Sequence, residues 1–392
     1  MAQYRRRTQG AGHPLNQRPD SPAQIQEAVQ QALETHRPLH IFAGQSKWAL
    51  GARVENAQRL DLSGLDRIVA YEPDELILVA EPGVPLQKVE HLLAQHGQHL
   101  AFEPPHWGPT ATLGGTVACN LSGPRRFKAG ALRDYVLGIE LVDGRGQRIR
   151  AGGKVVKNVT GYDLSKVLSG SFGTLGVLTE VCLKVLPRPP FQCSLLAHGL
   201  GADKAIAQLI EWAALPLQIT GLAHLPETTD VKAGTVARLE GPEAAVKTQL
   251  ASLKTALGKE SSLLDEADSQ AWWTAVRERE HWQADATQQL WRFVLPPTRA
   301  AELLAALAPH SPQTWGLDWG GGLLWALLPD TAPAPLLHEL ARQHQGLAWR
   351  FASHDQDPNP HAFSPLEPGL ARLNQRLRKV FDPQQIFNPG KL

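Results

Sequence analysis

A short turn near the start of the chain has residue types that suit an anion. Ala43, Gly44, Gln45, Ser46 and Lys47 follow a predicted strand over residues 39–42. Successive backbone N–H groups in a tight turn form an anion-binding concavity, which Ser46 and Lys47 would supplement with a hydroxyl and a positive charge. The pattern predicts a phosphate cradle. An ordinary turn at the end of a strand is the alternative.

A second loop, residues 109–118, is rich in threonine and glycine and leaves backbone amides uncovered. Hydroxyls and amides on a permissive backbone suit the ribityl chain and ring edge of a flavin better than a bare phosphate. A glycine-rich surface loop is the alternative. The candidate cofactor-binding residues of this loop and its continuation are Thr110, Ala111, Thr112, Gly114, Gly115, Val117, Asn120, Ser122 and Gly123.

A third loop precedes a strand that the sequence predicts to be buried. Gly170, Gly173 and Gly176 lie within seven residues, shortly after the polar motif at residues 157–164. This spacing indicates backbone lying against a flat group, with Gly173 as a candidate contact. A helix-to-strand connection with glycine caps is the alternative.

Other familiar site motifs are missing from the sequence. It has no G-x-G-x-x-G after a strand, no Walker A loop and no G-x-S-x-G elbow, which disfavours a Rossmann site, a P-loop and a serine hydrolase. Cys119, Cys182 and Cys193 form no CxxC pair, and three thiolates cannot complete an iron–sulfur or structural zinc site. Free cysteines fit a reduced compartment.

The composition narrows the class of protein further. The 392 residues carry 39 Lys+Arg against 38 Asp+Glu, a net charge of +1, which disfavours a general nucleic-acid binder. This length predicts two or three domains. Polar residues follow Arg5–Arg7 where a signal peptide would be apolar, and no window is long enough to span a bilayer. We therefore expect a cytoplasmic location, peripheral to the inner membrane only through partner proteins.

The elements that position the loops divide at the proline-rich residues 187–190. We expect a polar tail at residues 1–17, a first domain at 18–189 and a cap domain at 190–358. The cap is predicted as two β-α-β-β-α halves, which would form one antiparallel sheet with helices on a single face. Residues 359–392 are predicted to return to the first domain.

Two apolar patterns in the second half of the chain lead to further expectations. Leu370, Leu373, Leu377 and Val380 have helical spacing and predict a buried stripe. Trp272, Trp273 and Trp282 fall in a predicted long connection, residues 263–288, where they would be either core residues or a protein interface.

Taken in order, the loops resemble the flavoproteins of the vanillyl-alcohol oxidase type, which have a PCMH-type FAD-binding domain. More narrowly, the sequence is similar to the FAD-binding subunits of bacterial glycolate oxidases. The segments that carry this similarity are residues 103–108, 122–126, 130–134 and 157–164. The resemblance is dense over residues 18–189, thin through the cap, and returns at residues 380–392.

The resemblance implies an α+β fold, in which a PCMH-type FAD domain of two subdomains is covered by an α+β cap built on an antiparallel sheet. It implies that residues 43–47 cradle the FAD pyrophosphate, that Pro82, Gly83 and residues 110–117 line the cofactor, and that Val177 contacts it through its backbone. It also implies a complex with a second flavoprotein subunit and an iron–sulfur subunit, to which the flavin would pass electrons.

Two departures from the family pattern bear on the chemistry. Covalent members carry a flavin-linking histidine in or near the first loop, whereas here the nearest histidine is His40, so we expect non-covalent FAD. The related 2-hydroxy-acid dehydrogenases carry a histidine-rich metal motif in the cap. This sequence lacks that motif and has only scattered cap histidines, so we expect no metal.

Oxidation of a 2-hydroxy acid requires a base for the hydroxyl proton and a cation for the carboxylate. His106 is the candidate base, and Arg125 and Arg126 are the candidate cations. A histidine bonded to the backbone, and arginines paired with carboxylates or with FAD phosphate, are the alternatives. The sequence thus predicts an FAD-dependent oxidoreductase subunit of a glycolate oxidase complex. The alternatives are a flavin-binding or assembly subunit without turnover of its own, and a stand-alone FAD-dependent alcohol dehydrogenase.

Overall fold

The computed structural model describes residues 16–153, 163–227, 234–257, 260–285, 287–354 and 357–392. We call the elements up to residue 187 the N-terminal half and the strands and helices from 191 to 350 the cap. The elements of the N-terminal half are α1 (Pro22–Thr35), β1 (Leu39–Phe42), β2 (Gln58–Asp61), β3 (Ile68–Glu72), β4 (Ile77–Ala80), α2 (Leu86–Gln95), β5 (Gln98–His99), α3 (Leu113–Cys119), α4 (Arg126–Ala129), β6 (Val136–Val142), β7 (Arg148–Gly152), α5 (Leu164–Leu168), β8 (Val177–Lys184) and β9 (Leu186–Pro187).

The N-terminal half contains a five-stranded sheet and two pairs of strands, one of which is β5 with β9. Strands β3-β4-β8-β6-β7 form an antiparallel sheet, and β1 pairs with β2 in parallel beside α1. Strand β8 is buried along most of its length because it is central in the five-stranded sheet, with β4 and β6 on either side. Its first residue, Val177, packs with Val142 and Leu39 in the core under α1, so the start of β8 lies next to β1.

The cap contains one antiparallel sheet of eight strands in the order β13-β10-β12-β11-β15-β16-β14-β17. Its elements are β10 (Phe191–His198), α6 (Ala202–Ala213), β11 (Ile219–Leu225), β12 (Gly234–Gly241), α7 (Glu243–Leu257), β13 (Ser261–Leu264), α8 (Glu266–Glu278), β14 (Gln288–Val294), α9 (Ala300–Leu307), β15 (Thr314–Asp318), β16 (Leu323–Pro329), α10 (Ala334–Gln343) and β17 (Leu347–Arg350). Each half has the order β-α-β-β-α-β, one strand more than the sequence predicted. The additional strands, β13 and β17, pair with the first strand of their own half.

Alternation along the cap strands separates the two faces of the sheet. On β16, Leu324 and Ala326 pack in the same core as the helices α6, α7, α9 and α10. Their neighbours Leu323 and Trp325 point the other way and pack with Leu121 of the N-terminal half. One face of the sheet is therefore covered by helices, and part of the other face lies against the N-terminal half.

The predicted connection at residues 263–288 is wrong, because it contains the end of β13 and helix α8. Asp265 caps α8 by accepting a hydrogen bond from the Asp268 N–H at 2.9 Å. Trp273 and Trp282 are fully buried, so core packing accounts for both rings and neither is available to a partner. The apolar spacing of α8 is short and mixed with charged residues, which obscured the helix in the sequence.

The last residues of the chain return to β1. The Leu39 N–H donates to the Ile386 carbonyl at 2.7 Å, and the Asn388 N–H donates to the Leu39 carbonyl at 2.9 Å. The Asn388 side chain accepts a hydrogen bond from the Ile41 N–H and donates one to the Phe172 carbonyl, both at 2.8 Å. Asn388 thereby joins β1 to the loop that precedes β8.

The buried stripe predicted for the helix before this segment is wrong. In α11 (Pro368–Phe381), Leu370, Leu373 and Val380 are 52%, 53% and 59% exposed, and Phe381 is the one buried residue. The periodicity is present, but no part of the described chain covers the apolar side. Among the described helices, none is long and apolar enough to cross a membrane.

Four charged side chains form a closed ion cluster where the cap meets the N-terminal half. Arg125 lies 2.8 Å from Glu103 and 2.6 Å from Glu240. Arg238 donates to both oxygens of Glu103 at 2.9 Å. Glu103 and Arg125 belong to loops of the N-terminal half, whereas Arg238 and Glu240 are alternate residues of β12. The cluster therefore joins the two halves through paired charges that are buried from water.

The two arginines determine the ionisation of the cluster's carboxylates. Burial alone would raise the pKa of Glu240, but the charges of Arg238 and Arg125 outweigh it and lower this pKa to about 2. The pKa of Glu103 is also lowered, because Arg125 and Arg238 overcome its desolvation. Both carboxylates are therefore charged at neutral pH.

We expect Glu240→Gln to destabilise the protein at neutral pH, because it leaves two buried guanidinium charges with the single carboxylate of Glu103. A carboxylate whose folded pKa is lowered stabilises the fold above its ordinary pKa, and that contribution is lost as the pH falls towards 2. From a lowering of the pKa from 4.5 to about 2, Glu240 contributes about 3 kcal/mol. Urea unfolding from pH 7 to pH 2 should show that the free energies of unfolding of the wild type and of Glu240→Gln converge in acid. Glu302→Gln, at a half-exposed surface pair, is the control, and parallel curves for Glu240→Gln and wild type would contradict the prediction.

Candidate functional site

The turn that follows β1 presents free backbone amides. The N–H groups of Gly44, Gln45, Ser46 and Lys47 donate no hydrogen bond to any described residue. Gln45 lies in the left-handed region, with φ of 54°, which bends the turn. Consecutive unsatisfied N–H groups in a bent turn make a concavity of positive partial charge. This geometry can hold a phosphate or pyrophosphate.

The second loop lies directly against this turn. The Thr110 hydroxyl donates to the Gly44 carbonyl. A Cβ on residue 44 would lie 1.5 Å from the Thr110 carbonyl oxygen, so only glycine permits the two backbones to come this close. The N–H groups of Gly108, Thr110 and Ala111 also donate to no described residue. Two sets of free amides thus face one region.

Lys47 brings a positive charge to the same region. Its ammonium donates to the Ser46 hydroxyl at 3.1 Å and to the His106 carbonyl at 3.2 Å. Burial lowers the pKa of Lys47 to about 8, so the side chain is mostly charged at pH 7. A bound anion would supply the countercharge that this buried ammonium lacks.

The turn at Pro82 and Gly83 positions helix α3, which the second loop enters. The Gly114 N–H donates to the Pro82 carbonyl at 2.8 Å, and the Gly83 N–H donates to the Leu65 carbonyl at the same distance. The Thr112 hydroxyl caps the helix by accepting from the Gly115 N–H at 3.2 Å. These residues, with the buried Val117, hold the loop in place.

Gly173 and Val177 both lie beside β1. A Cβ on Gly173 would lie 2.8 Å from the Asn388 side-chain nitrogen. Val177 and the partly buried Ala43 pack in one core cluster. The structure therefore brings parts of all three predicted loops next to β1. Residues 157–162 of the polar motif lie outside the described residues.

Asn120, Ser122 and Gly123, also predicted as cofactor ligands, have partners inside the protein. The Asn120 side-chain oxygen accepts from the Arg133 N–H at 3.2 Å, and the Ser122 hydroxyl accepts from the Leu132 N–H at 2.9 Å. The Gly123 carbonyl accepts from the Trp319 ring nitrogen at 3.0 Å. These contacts place residues 120–123 between α3 and the cap.

The candidate base His106 does not face the cap. Its Nε2 atom lies 3.0 Å from a carboxylate oxygen of Glu90 on α2, at ion-pair distance but without hydrogen-bond geometry. Its backbone N–H donates to Glu278, which also accepts from the Trp107 N–H at 2.7 Å. The backbone of His106 supports Lys47 and the contact with α8, while its imidazole points into the N-terminal half.

The two candidate cations also have protein partners. Arg125 is part of the ion cluster, where Glu103 and Glu240 neutralise it. The Arg126 guanidinium stacks on the Trp319 ring of the cap, 4.2 Å from the ring centroid. The alternative of pairing with a neighbouring carboxylate therefore describes Arg125. Arg126 has no carboxylate within salt-bridge distance among the described residues, and its contact with the cap is the Trp319 ring.

A small cavity lies where the cap faces residues 121–124. Its volume is about 20 Å³, enough for about one water molecule. The residues that line it include Trp107, Ser122, Arg277, Arg292, Asp318 and Trp325.

Two of these lining residues, Arg292 and Asp318, were missed by the sequence analysis. The Arg292 guanidinium lies 4.5 Å and 5.0 Å from the ring centroids of Trp349 and Trp319. Burial raises the pKa of Asp318 to about 7. The one signal in the sequence was a single arginine within the apolar strand β14.

Aromatic rings and a further arginine fill the space beside this cavity. Arg279, at the end of α8, stacks on Trp107 with 3.8 Å to the ring centroid, and its buried Nε has no hydrogen-bond partner. Trp325 packs against both Trp282 and Phe351. Within the described part of the chain, no group of three or more His, Cys, Asp or Glu side chains could hold a metal ion.

Comparison with known proteins agrees with this geometry. A family model described as an FAD binding domain matches residues 17–152, which include the first two loops. The alkyldihydroxyacetonephosphate synthase structure superposes with a TM-score of 0.69 over 95% of this chain and 75% of that one, at 16% identity. This likeness confirms the predicted fold, a PCMH-type FAD domain with an antiparallel cap.

Two curated relatives identify the family. Glycolate oxidase subunit GlcD of Bacillus subtilis is 34% identical over 166 residues, 42% of this chain and 35% of that protein. Glycolate oxidase subunit GlcE of Escherichia coli is 40% identical over 368 residues, 93% of this chain and 95% of that protein. Because the similarity to GlcE extends through the cap as well as the FAD-binding loops, the chain belongs to the family of FAD-binding glycolate oxidase subunits.

Proposed function

We propose that this chain is the FAD-binding subunit of a glycolate oxidase complex and that it relays electrons from a 2-hydroxy acid towards an iron–sulfur partner. The observation that carries the proposal is that the backbone amides of residues 44–47, 108, 110 and 111 are unpaired in two loops that contact each other beside Lys47. When bound, FAD supplies the capacity to accept a hydride and to release electrons one at a time.

The residues of the cradle would hold the pyrophosphate of FAD. The Gly44–Lys47 amides and the Lys47 ammonium provide donors and positive charge, and Thr110 keeps the second loop against them. The first loop, residues 43–47, contains only small and polar side chains and no histidine. This composition supports non-covalent binding.

A second candidate function, a flavin-carrying subunit without substrate turnover of its own, is favoured by the contact between the halves. Substrate oxidation requires space for the hydroxy acid, a base and a free cation. The cavity beside the cap holds about 20 Å³, the imidazole of His106 faces Glu90, and Arg125 is neutralised. This packing supports substrate oxidation on another subunit of the complex.

The role of Lys47 in holding FAD can be tested by substitution. We expect Lys47→Met to weaken FAD binding about tenfold at pH 7, as expected for a charged hydrogen bond. Since the pKa of Lys47 is about 8, the ammonium loses its charge as the pH rises above 8. The affinity of the wild type should therefore fall between pH 7 and pH 9, while that of the variant changes little. Quenching of FAD fluorescence measures both. Lys88→Met, at an exposed site on α2, is the control, and an equal pH dependence of all three proteins would refute the role of Lys47.

The second prediction concerns the linkage of the cofactor. Denaturing the purified FAD-loaded chain with acid should release all of the flavin into the supernatant, because the first loop offers no histidine for a covalent bond. Absorbance of the supernatant and pellet at flavin wavelengths measures the partition. Flavin that stays with the precipitated protein would show a covalent link and contradict the proposal.

The third prediction separates the two candidate functions. We expect that glycolate, added without oxygen, leaves the flavin absorbance of the isolated FAD-loaded chain unchanged, because the cavity beside the cap is too small for it. Dithionite should bleach the same sample, which shows that its flavin is reducible. Bleaching by glycolate would instead show that this subunit oxidises the substrate itself.

A further inference from the structure

Helix α11 lies on the surface with its apolar side uncovered. It has 14 residues, of which Phe381 at its end is the one that is buried. Leu370, Leu373 and Val380 are each more than half exposed, and Leu366 just before the helix is 42% exposed. Positions 370, 373, 377 and 380 have the i, i+3, i+7, i+10 spacing of a single helix face. The helix therefore presents a continuous aliphatic strip to its surroundings.

A row of cations lies beside this strip. Arg372, Arg376 and Lys379 follow at i, i+4 and i+7, and Arg378 adds a fourth positive charge. The sequence of α11 contains no Asp or Glu, and none of these four cations forms a salt bridge with any described residue. In a chain with a net charge of only +1, this helix is a local concentration of unpaired positive charge.

The helix is fixed to the body of the protein at its C-terminal end. The Gly144 N–H donates to the Phe381 carbonyl at 2.7 Å, and Arg145 donates to the Val380 carbonyl at 2.6 Å. Both donors lie in the turn between β6 and β7. The strip is therefore held outward by the fold, which gives it a defined direction for docking.

The chemistry of the strip favours an anionic lipid surface over a protein partner. Protein interfaces are enriched in aromatic residues, methionine and arginine, whereas the strip is purely aliphatic, with no aromatic residue or methionine among its exposed apolar side chains. Leucine and valine on one arc with cations on the adjacent arc are typical of helices that lie in the plane of a membrane interface. The charge is complementary to acidic headgroups, and no described helix could span the bilayer.

We propose that α11 docks the protein onto an anionic membrane surface. Leu370, Leu373 and Val380 enter the boundary between headgroups and acyl chains, and Arg372, Arg376 and Lys379 contact the acidic headgroups. This contact is made directly by the chain, in addition to any contact through a partner protein. It does not depend on the substrate or on the electron acceptor.

The test is sedimentation of the full FAD-loaded chain with lipid vesicles. Vesicles of equal parts phosphatidylcholine and phosphatidylglycerol should carry the protein into the pellet, and added salt should reduce the bound fraction. Vesicles of phosphatidylcholine alone should bind far less. Leu370→Gln with Leu373→Gln should lower the partition coefficient about tenfold or more, and Arg372→Gln with Arg376→Gln should do the same. Glutamine is a good helix former, so the helix should be kept.

Matched variants elsewhere on the surface serve as controls. Leu263→Gln with Leu347→Gln removes two leucines that are 47% and 54% exposed on the edge strands β13 and β17. Arg37→Gln with Arg188→Gln removes two exposed cations of the N-terminal half. Circular dichroism and the thermal unfolding midpoint verify that every variant is folded.

Vesicle binding that is lost in both α11 variants and kept in both controls supports the proposal. The proposal is overturned if the wild type does not sediment with the anionic vesicles. If, in that case, the leucine variant also loses binding to a purified partner subunit, the strip is a protein-binding surface. Binding that depends on the arginines but not on the leucines also overturns it, because nothing would then enter the membrane.

Discussion

The closed ion cluster of Glu103, Arg125, Arg238 and Glu240 determines how the two halves of this protein meet. Removing four charges from water is costly, and the cost is offset only where each charge faces an opposite one at hydrogen-bond distance. That condition is met when β12 of the cap lies against the loops of the N-terminal half. The cluster therefore favours the orientation of the cap in which these four charges meet.

This orientation decides which cap residues face the FAD-binding loops. With β12 fixed, the second face of the cap sheet places Arg292 and Trp325 opposite Ser122 and Gly123. Rings and guanidiniums fill the space between them, so the cradle for the nucleotide and the region in contact with the cap have different characters. The cradle offers free hydrogen-bond donors, whereas the region in contact with the cap is closely packed. This contrast supports a subunit that holds a flavin and receives its electrons from elsewhere.

The sequence predicted the loops because their requirements are local. A turn with free amides needs glycine and small polar residues at adjacent positions, and such patterns are visible without the fold. The ion cluster could not be predicted, because Arg238 lies 135 residues from Glu103 and 113 from Arg125. The sequence contains only an indirect sign of the cluster. Arg238 and Glu240 alternate with the apolar Ala237 and Leu239, which indicates a strand whose second face is also buried. For α11 the periodicity predicted an apolar side correctly, but spacing cannot show whether the chain itself provides a cover.

The contacts of Asn388 determine when strand β1 can be completed during synthesis of the chain. It bonds to Ile41, 347 residues earlier in the chain, and to Phe172, 216 residues earlier. Strand β1, which leads into the turn at residues 43–47, is therefore completed by residues that are synthesised after the whole of the cap. The strands of the cap all pair with one another and can form while synthesis continues. We expect FAD to be captured firmly only by chains in which residues 386–388 have been synthesised, so that retention of the cofactor distinguishes them from chains terminated before these residues.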